Sequence, residues 1–424
     1  MIKSGRSTRS DQAILDQTLN SERLGTELGP KPCGEPHRVR AAAPGASGDP
    51  WAVALSGGGF RATFAGLGVL RLLASIGALK DLRHVSSVSG GSVAHGLVAV
   101  NWDKLRSAGH TAEAFDALVL DPTVDRISSK SLKWRLVRNL WRTAGSTTRT
   151  DLLAQAFDDW FFGGTELTQL DPQVRWIFNA ANLTSGVRFR FERDIIGDYT
   201  IGTASTAGTT LKVSTAVAAS AAVPGAFAPV PINGVRFPCG DHPPQLMDGG
   251  AYDNTGLEAI DRDDVPFFLA SLNAGGLLRP GAYGKVPLVR DLARANSLLY
   301  RQSTALRTRA MVRQFERARR TPTGQPLPPG ARHGLLVALA TEFPTTDPHQ
   351  VGFDFARLTQ WRAAHPERRS WKGKDLAEVP TVFDRLDADL CRALTYRGWW
   401  LVGAALATYA GQRLPADLTT LSHP

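Results

Sequence analysis

The chain has 424 residues, of which 43% are hydrophobic and 21% charged, and its formal net charge is +10. This length and balance exclude a wholly disordered protein and fit one large enzyme domain with extensions. The three cysteines, Cys33, Cys239 and Cys391, are scattered and form no CxxC pair. No disulfide framework and no metal site are therefore expected, and a reducing compartment fits.

The first 46 residues are predicted to form a polar arm that leads into the linker-like sequence AAAPGASGDP at residues 41–50. The N-terminus lacks the apolar core of a signal peptide. The longest apolar stretch, Trp399 to Ala410, is shorter than the roughly 20 residues that a membrane span requires. The sequence therefore predicts a soluble, cytoplasmic protein.

The first chemical signal is the sequence VALSGGG at residues 53–59. Its apolar start predicts a strand, and the residues that follow repeat at helical spacing. Gly57, Gly58 and Gly59 can aim backbone N–H groups at one point near a helix N-terminus, which suits a phosphate or a transient oxyanion. A P-loop would need Lys-Ser or Lys-Thr after the glycines, and a dinucleotide site would need GxGxxG; neither is present.

The second signal is SSVSGGS, which begins at Ser86. His84 to Val88 is predicted to be a strand, Ser89 stands at its end, and small residues let a helix leave at a sharp angle. This pattern is typical of a nucleophile elbow, in which a strained turn exposes the serine oxygen. Ser87 replaces the first glycine of the general GxSxG pattern. The alternative interpretation of Ser89 is an ordinary helix N-cap.

The segment from Lys130 to Arg142, KSLKWRLVRNLWR, predicts a basic amphipathic helix with two tryptophans. Leu132, Leu136, Val137, Leu140 and Trp141 make its apolar stripe. Such a helix suits a membrane interface, and the segment falls where an insertion could cover the site. The alternative is a helix packed on the sheet with a solvated basic face. Arg301 to Arg320 is a second basic run, which has no aromatic interleaving and no nucleic-acid motif.

A third signal is Asp248-Gly249-Gly250, which follows a short apolar approach and predicts a turn that projects a carboxylate from a strand end. Three further strands are predicted from apolar runs: Val174 to Asn179, Val187 to Glu192 and Pro266 to Leu272. Asp194 to Gly208, rich in Gly, Thr and Ser, is predicted to be a loop near the site. Phe383 to Ala410 is predicted to be an amphipathic helical stretch packed on the core.

Four segments together resemble the patatin-like phospholipases, and SGGGFRA also resembles the cytosolic group IV phospholipases. They are SGGGFRA at 56–62, SVSGG at 87–91, ASAAVPGAFAPV at 219–230 and MDGGAYDN at 247–254. The resemblance implies a lipid acyl hydrolase with Ser89 as nucleophile, Asp248 as base, and an oxyanion loop at Gly57 to Gly59. It also matches Arg61 to a position associated with the substrate phosphate. Ala62 and Ser87 depart from the patatin glycines.

Asp248 as a base also requires a particular environment. An Asp with a reference pKa of about 3.9 is a poor base for an alcohol unless its site is dry, so the oxyanion donors must contribute strongly. A Ser–Asp–His triad is the main competitor, and His349 is its best candidate because it follows the strand-like run Leu335 to Ala340. His84 and His95 are expected to be structural.

The sequence thus predicts an α/β, patatin-like fold: a mainly parallel sheet with helices on both faces and a C-terminal helical extension. The predicted divisions are an arm at 1–46, a catalytic domain at 47–320 and an extension at 321–424. The predicted activity is hydrolysis of phospholipid or other lipid esters, without metal or organic cofactor. Peripheral contact with an anionic membrane surface is expected, and nucleic acid is not. The alternatives are an acyltransferase, a triad esterase and an inactive lipid-binding relative.

Overall fold

The computed structural model describes residues 33, 50–261, 267–276, 289–322 and 324–424. The predicted N-terminal arm therefore lies outside the described residues, except for Cys33. The central strand, β1, spans Trp51–Leu55 and is buried along its whole length. Val53 and Leu55 face the larger hydrophobic core, whereas Ala52 and Ala54 face a smaller core. The alternation shows that the sheet is covered on both faces.

Ten strands of the described residues form one sheet, in the order β10-β9-β1-β2-β3-β4-β5-β6, with β8 on β3 and β7 on β8. The strands from β10 to β3 run parallel, and the others pair antiparallel. The remaining bounds are Leu82–Val88 for β2, Arg175–Asn182 for β3, Val187–Phe191 for β4, Ile195–Asp198 for β5, Gly202–Ser205 for β6, Val230–Pro231 for β7, Gln245–Asp248 for β8, Phe268–Asn273 for β9 and Gly334–Ala338 for β10. A separate hairpin pairs β11, Ser370–Trp371, with β12, Lys374–Asp375.

Helices cover both faces of this sheet, which confirms the predicted fold class. They are α1 Gly59–Ser75, α2 Gly90–Val100, α3 Trp102–Ser107, α4 Ala112–Phe115, α5 Asp121–Ser129, α6 Leu132–Arg138, α7 Arg149–Phe157, α8 Val213–Ser220, α9 Gly250–Asp253, α10 Glu258–Asp261, α11 Val289–Arg320, α12 Phe355–Ala364 and α13 Ala388–Ala410. Within the described ranges, none of these helices combines the length and the apolar character needed to cross a membrane.

The C-terminal helix α13 packs directly on α1, the helix that follows the glycine turn. A Cβ atom at Gly68 would lie 2.0 Å from the Thr395 carbonyl oxygen, and one at Gly398 would lie 2.0 Å from the Ala65 carbonyl oxygen. Glycine on both helices therefore allows their backbones to touch. The division of the chain at residues 320 and 321 stays a prediction, and the sheet crosses it, because β10 pairs with β9.

The prediction of a loop from Asp194 to Gly208 is wrong. This region forms the antiparallel hairpin of β5 and β6 at the sheet edge. The Asp198 carboxylate accepts the N–H groups of Thr200 and Ile201 at 2.8 and 3.1 Å, which closes the turn. Small polar residues suit such an edge hairpin as well as a loop, so composition could not separate the two.

The expectation of no disulfide is also wrong. Cys33 and Cys239 form a disulfide across 206 residues, with a Cα–Cα distance of 5.9 Å. The Cys33 N–H donates to the Tyr199 carbonyl at 2.7 Å, and the Cys239 N–H donates to the Ile201 carbonyl at 3.0 Å. The bond therefore lies against the turn between β5 and β6. Half-cystines this far apart leave no spacing signature in the sequence.

Candidate active site

Ser89 lies at the sharp turn between β2 and α2, where its φ of 51° and ψ of −120° are unusual for a residue with a side chain. A Cβ at Gly90 would lie 1.9 Å from the Gly59 carbonyl oxygen, and one at Gly91 would lie 2.6 Å from the Leu55 carbonyl oxygen. Both positions require glycine, because the turn presses against the glycine loop and the end of β1. The turn presents Ser89 at the carboxyl end of the parallel strands.

The register of β3 explains how Ser89 meets a residue 159 positions away. Strand β2 follows one edge of β3 and ends with Val88 opposite Asn179. Strand β8 then continues along that edge in the opposite direction and ends with Asp248 opposite Ala180. The two strands therefore converge end to end at adjacent positions of β3. This topology brings the predicted nucleophile and the predicted base together.

The Asp248 side chain is buried, with 3% of the residue exposed. Its carboxyl group accepts the Gly250 N–H at 2.7 Å and the hydroxyl of Ser89. Burial raises the pKa of Asp248 to about 6, against the lowering effect of those two hydrogen bonds. At neutral pH the group is mostly ionised, yet it is a much stronger base than an exposed Asp.

The glycine loop lies against Ser89. A Cβ at Gly57 would lie 3.2 Å from the Ser89 Cβ, and the φ angles of Gly58 and Gly59 are 151° and 61°. The Gly57 N–H donates to the Asn254 carbonyl at 3.0 Å. Within the described part of the chain, the N–H groups of Gly58 and Gly59 have no intramolecular acceptor. Two of the three predicted donors are therefore free to bind an anion.

A serine that the sequence did not predict lies beneath Ser89. Ser220, at the end of α8, is fully buried. Its hydroxyl accepts the Ser89 N–H at 2.9 Å and donates to the Asn179 carbonyl at 2.6 Å. It thereby joins the backbone of the elbow to β3. Ser220 follows Ala219, the first residue of the family-like segment ASAAVPGAFAPV, which is the one signal that marks it.

The same hydroxyl begins a buried chain that explains Ser87 in place of glycine. Ser92 Oγ lies 2.9 Å from Ser220 Oγ, Ser87 Oγ lies 3.0 Å from Ser92 Oγ, and His95 Nδ1 lies 2.7 Å from Ser87 Oγ. Because Ser220 gives its proton to a carbonyl, Ser92 must donate to Ser220, Ser87 to Ser92, and His95 Nδ1 to Ser87. Burial holds the pKa of His95 well below its usual value, so the ring is neutral.

Arg61 lies beside the glycine loop, with 2% of the residue exposed. Its guanidinium donates to the Ala274 carbonyl at 3.0 Å, to the Thr381 hydroxyl at 2.8 Å, and to the Val379 carbonyl. Burial lowers the pKa of Arg61 to about 10. These acceptors are neutral protein groups, and the predicted contact with a substrate phosphate stays a prediction.

The acceptors on the far side of Arg61 belong to residues 379–384, which we call the strap. The Val382 carbonyl accepts the Phe60 N–H at 3.0 Å, and a Cβ at Gly59 would lie 2.5 Å from that oxygen. The Phe383 ring packs edge-on against Phe60, with centroids 5.2 Å apart. The strap thus lies directly over the start of α1, where no local sequence signal predicted it.

Within the described ranges, His349, the histidine predicted to complete a triad, contacts neither Ser89 nor Asp248. His349 is on an exposed loop, with 87% of its side chain exposed, and faces Asp347 at 3.7 Å. His365 is buried, and its Nε2 lies 2.9 Å from the Leu418 carbonyl oxygen. His84 is buried in β2, and burial lowers its pKa to about 3. Among the described residues, no cluster of His, Cys, Asp or Glu could hold a metal ion.

Two comparisons with known proteins concern the sequence. The family described as Patatin-like phospholipase matches residues 53–261. No curated protein matches the sequence.

Several solved structures are remotely similar to the chain. Human GIVD cytosolic phospholipase A2 in complex with methyl gamma-linolenyl fluorophosphonate inhibitor and terbium chloride is 13% identical, with a TM-score of 0.46 over 99% of this chain and 65% of that chain. The complex with the fluorophosphonate alone is 14% identical, with a TM-score of 0.41 over 88% and 60%. VipD from Legionella pneumophila is 14% identical, with a TM-score of 0.31 over 72% and 64%. The chain spans less than two thirds of the length of each.

Proposed function

Because residues 53–261 carry a patatin-like phospholipase domain, we propose that the protein is a lipid acyl hydrolase that uses Ser89 and Asp248 as a catalytic dyad. One observation carries this proposal. The register along β3 brings Ser89 and the buried Asp248 carboxylate together, burial raises the pKa of Asp248 to about 6, and the glycine loop lies against Ser89. A nucleophile, a base and an oxyanion site are the parts that ester cleavage requires.

In the proposed first step, Ser89 Oγ attacks the ester carbonyl carbon while its proton moves to the Asp248 carboxylate. The carbonyl oxygen becomes an oxyanion, which the N–H groups of Gly58 and Gly59 stabilise. Collapse of this intermediate breaks the bond to the leaving alcohol, which takes the proton from Asp248. Water then attacks the acyl-serine carbonyl and gives a proton to Asp248. Collapse of this second intermediate breaks the bond to Ser89 Oγ, which takes the proton back from Asp248, and the fatty acid leaves.

The Gly57 N–H has a different part in this proposal. Since it donates to the Asn254 carbonyl at 3.0 Å, we assign it to holding the loop rather than to the oxyanion. Each lost oxyanion donor typically removes about 3 kcal/mol of transition-state stabilisation. In serine hydrolases with a nucleophile elbow, the N–H of the residue after the nucleophile is a further oxyanion donor. In this chain that residue is Gly90, the first residue of α2.

Covalent labelling with a fluorophosphonate probe tests the nucleophile. Wild type should label at Ser89, and Ser89→Ala should abolish the signal. The matched control is Ser107→Ala, because the exposed Ser107 hydroxyl donates to the Asp103 carbonyl. This variant should label like wild type. A folded wild type that does not label, or Ser89→Ala that still labels, would overturn the dyad. The first result would favour an inactive lipid-binding protein.

The lipid class and the acyl acceptor need a second experiment. We propose phospholipids or lysophospholipids as substrates, and mass spectrometry of products from a mixed lipid extract identifies the bond and the headgroup. Free fatty acid as the main product supports hydrolysis. Transfer of the acyl chain to an added alcohol in preference to water would show an acyltransferase instead.

The disulfide bears on where the protein acts. In the predicted cytoplasmic location, a bond such as Cys33–Cys239 would be rare, because thiols there are kept reduced. We therefore propose that the protein acts at a lipid surface in an oxidising compartment. Thiol-blocking mass spectrometry of protein from its native host tests this: two blocked thiols at Cys33 and Cys239 would restore the cytoplasmic prediction.

A further inference from the structure

The segment at 130–142 exposes two large aromatic side chains. Trp134 and Trp141 are 66% and 75% exposed, and Val137 between them is 44% exposed. The chain has ten tryptophans, all within the described residues, and the other eight are buried or half-buried. Tryptophan is strongly buried on average in soluble proteins. Two exposed tryptophans seven residues apart therefore mark a surface that binds something.

The predicted apolar stripe of this segment is divided in the structure. Leu132 is buried, and Leu136 and Leu140 are half-buried, whereas Val137 and Trp141 are exposed. Because α6 ends at Arg138 and a 3₁₀ turn follows at Leu140–Ala144, Trp141 does not continue the helical stripe that begins at Leu132. The leucines anchor the segment, and the tryptophans remain free.

Cations surround these tryptophans. Between residues 130 and 150 there are six Lys or Arg residues and no Asp or Glu. Lys130, Lys133 and Arg138 are exposed, and they have no ion-pair partner within the described ranges. A cluster of unpaired cations beside interfacial aromatic rings is complementary to an anionic lipid surface.

A cavity of about 250 Å³ lies between this segment and α7. Arg135, Leu136, Asn139 and Arg142 line it from one side, and Leu152 and Gln155 line it from the other. Arg135 pairs with Asp159, and Arg142 donates to Gln155 at 2.7 Å. Both guanidinium groups therefore have protein acceptors, and they hold this segment against α7 and the turn that follows it.

The strap connects this segment to the catalytic loop. Ser131, the N-cap of α6, donates its hydroxyl to the Asp384 carboxylate at 2.6 Å. Two residues earlier, Val382 accepts the Phe60 N–H beside the glycine loop. Since consecutive Cα atoms are about 3.8 Å apart, Val382 and Asp384 are at most about 8 Å apart. The exposed tryptophans therefore project from an element held close to the catalytic loop.

We propose that Lys130, Lys133, Trp134, Val137, Arg138 and Trp141 form a docking surface for membranes rich in anionic phospholipid. The inference deepens the proposed lipid hydrolase function and rests on it for its biological purpose. The tryptophan rings enter the headgroup region, and the three free cations select anionic lipid. Binding there holds the glycine loop and Ser89 near the bilayer from which an ester must be drawn.

Vesicle flotation of the full-length Ser89→Ala protein tests the surface without consuming the lipid. Vesicles are phosphatidylcholine alone or phosphatidylcholine with about a third phosphatidylglycerol. Binding to the anionic vesicles should fall at least about tenfold in Trp134→Ala/Trp141→Ala. It should fall at least about 100-fold in Lys130→Glu/Lys133→Glu/Arg138→Glu, because each cation near an anionic membrane contributes about fivefold or more.

The matched control reverses three other exposed cations, Arg309, Arg313 and Arg317 of α11, which no exposed aromatic residue accompanies. This triple variant should bind within about threefold of the parent, since net charge alone is a weak attractor at physiological salt. Equal loss in the control, or no loss in the tryptophan variant, would overturn the docking surface. If Lys130→Glu/Lys133→Glu/Arg138→Glu still binds vesicles but loses binding to duplex DNA, the three cations serve nucleic acid instead.

A failure of the docking proposal can be distinguished from a failure of the proposed ester hydrolysis. With Ser89 intact, Trp134→Ala/Trp141→Ala should hydrolyse a soluble short-chain ester at the wild-type rate and lose rate only on anionic vesicles. Equal loss on both substrates would show a folding defect and contradict a surface that acts only in docking. Vesicle binding by a protein that never labels at Ser89 would support docking and refute the hydrolase.

Discussion

Asp248 sets up a conflict between stability and activity that can be measured. In the unfolded chain its carboxyl group titrates near pH 3.9, whereas burial raises the folded pKa to about 6. Between these values the folded state holds a proton that the unfolded state has lost, so the free energy of unfolding falls as the pH rises from about 4 to about 6. A difference of about two pH units corresponds to about 3 kcal/mol, all of it lost above pH 7.

Asp248→Asn removes the charge and keeps the shape, and its side-chain oxygen can still accept the Gly250 N–H. We expect the variant to be inactive, yet more stable than wild type by up to about 3 kcal/mol at pH 8 and equally stable at pH 4. Urea unfolding at both pH values measures the difference. Asp125→Asn, at an exposed site on α5, is the control and should show no pH-dependent gain. An Asp248→Asn protein that gains nothing at pH 8, or gains the same at both pH values, would refute the reasoning.

Three further results are expected. For a soluble ester, kcat/KM should rise with pH through about 6 and then level off, because Asp248 must be ionised; a profile that is flat from pH 5 to 8 would contradict this. Ser220→Ala should lower the free energy of unfolding by about 2 kcal/mol and kcat by about tenfold, since two buried backbone groups lose their partner; unchanged kcat would show that the hydroxyl does not position the nucleophile. Gly90→Ala should destabilise the protein by at least about 2 kcal/mol, because its Cβ would lie 1.9 Å from a carbonyl oxygen, whereas Gly145→Ala, with no atom nearer than 3.8 Å, should not; equal unfolding curves would contradict the close approach.

The sequence predicted the elements whose signals are local. The apolar run of β1 ends at the glycines in both sequence and structure, because the same residues that break the strand also form the turn. Strand β2 begins two residues before the predicted start at His84. Ser89 and Asp248 were paired only through motif order. What joins them is the register along β3, which no local pattern records.

The contacts that the sequence did not predict join distant parts of the chain. Ser220 lies 131 residues from Ser89, and Arg61 reaches Thr381 across 320 residues. The side chains involved are short polar groups or a lone arginine, which occur throughout the chain and have no periodicity to detect. Such contacts become visible only when the strands and helices are in place.

The strand order limits where the chain can be truncated for expression. The family match ends at residue 261, but β9 and β10, which flank β1 on one side, and α13, which covers α1, all come later in the chain. A fragment cut at that boundary would leave β1 as an open sheet edge and uncover an apolar helix face. Unpaired edges of this kind favour aggregation, so the recognisable domain is smaller than the unit that can be expressed.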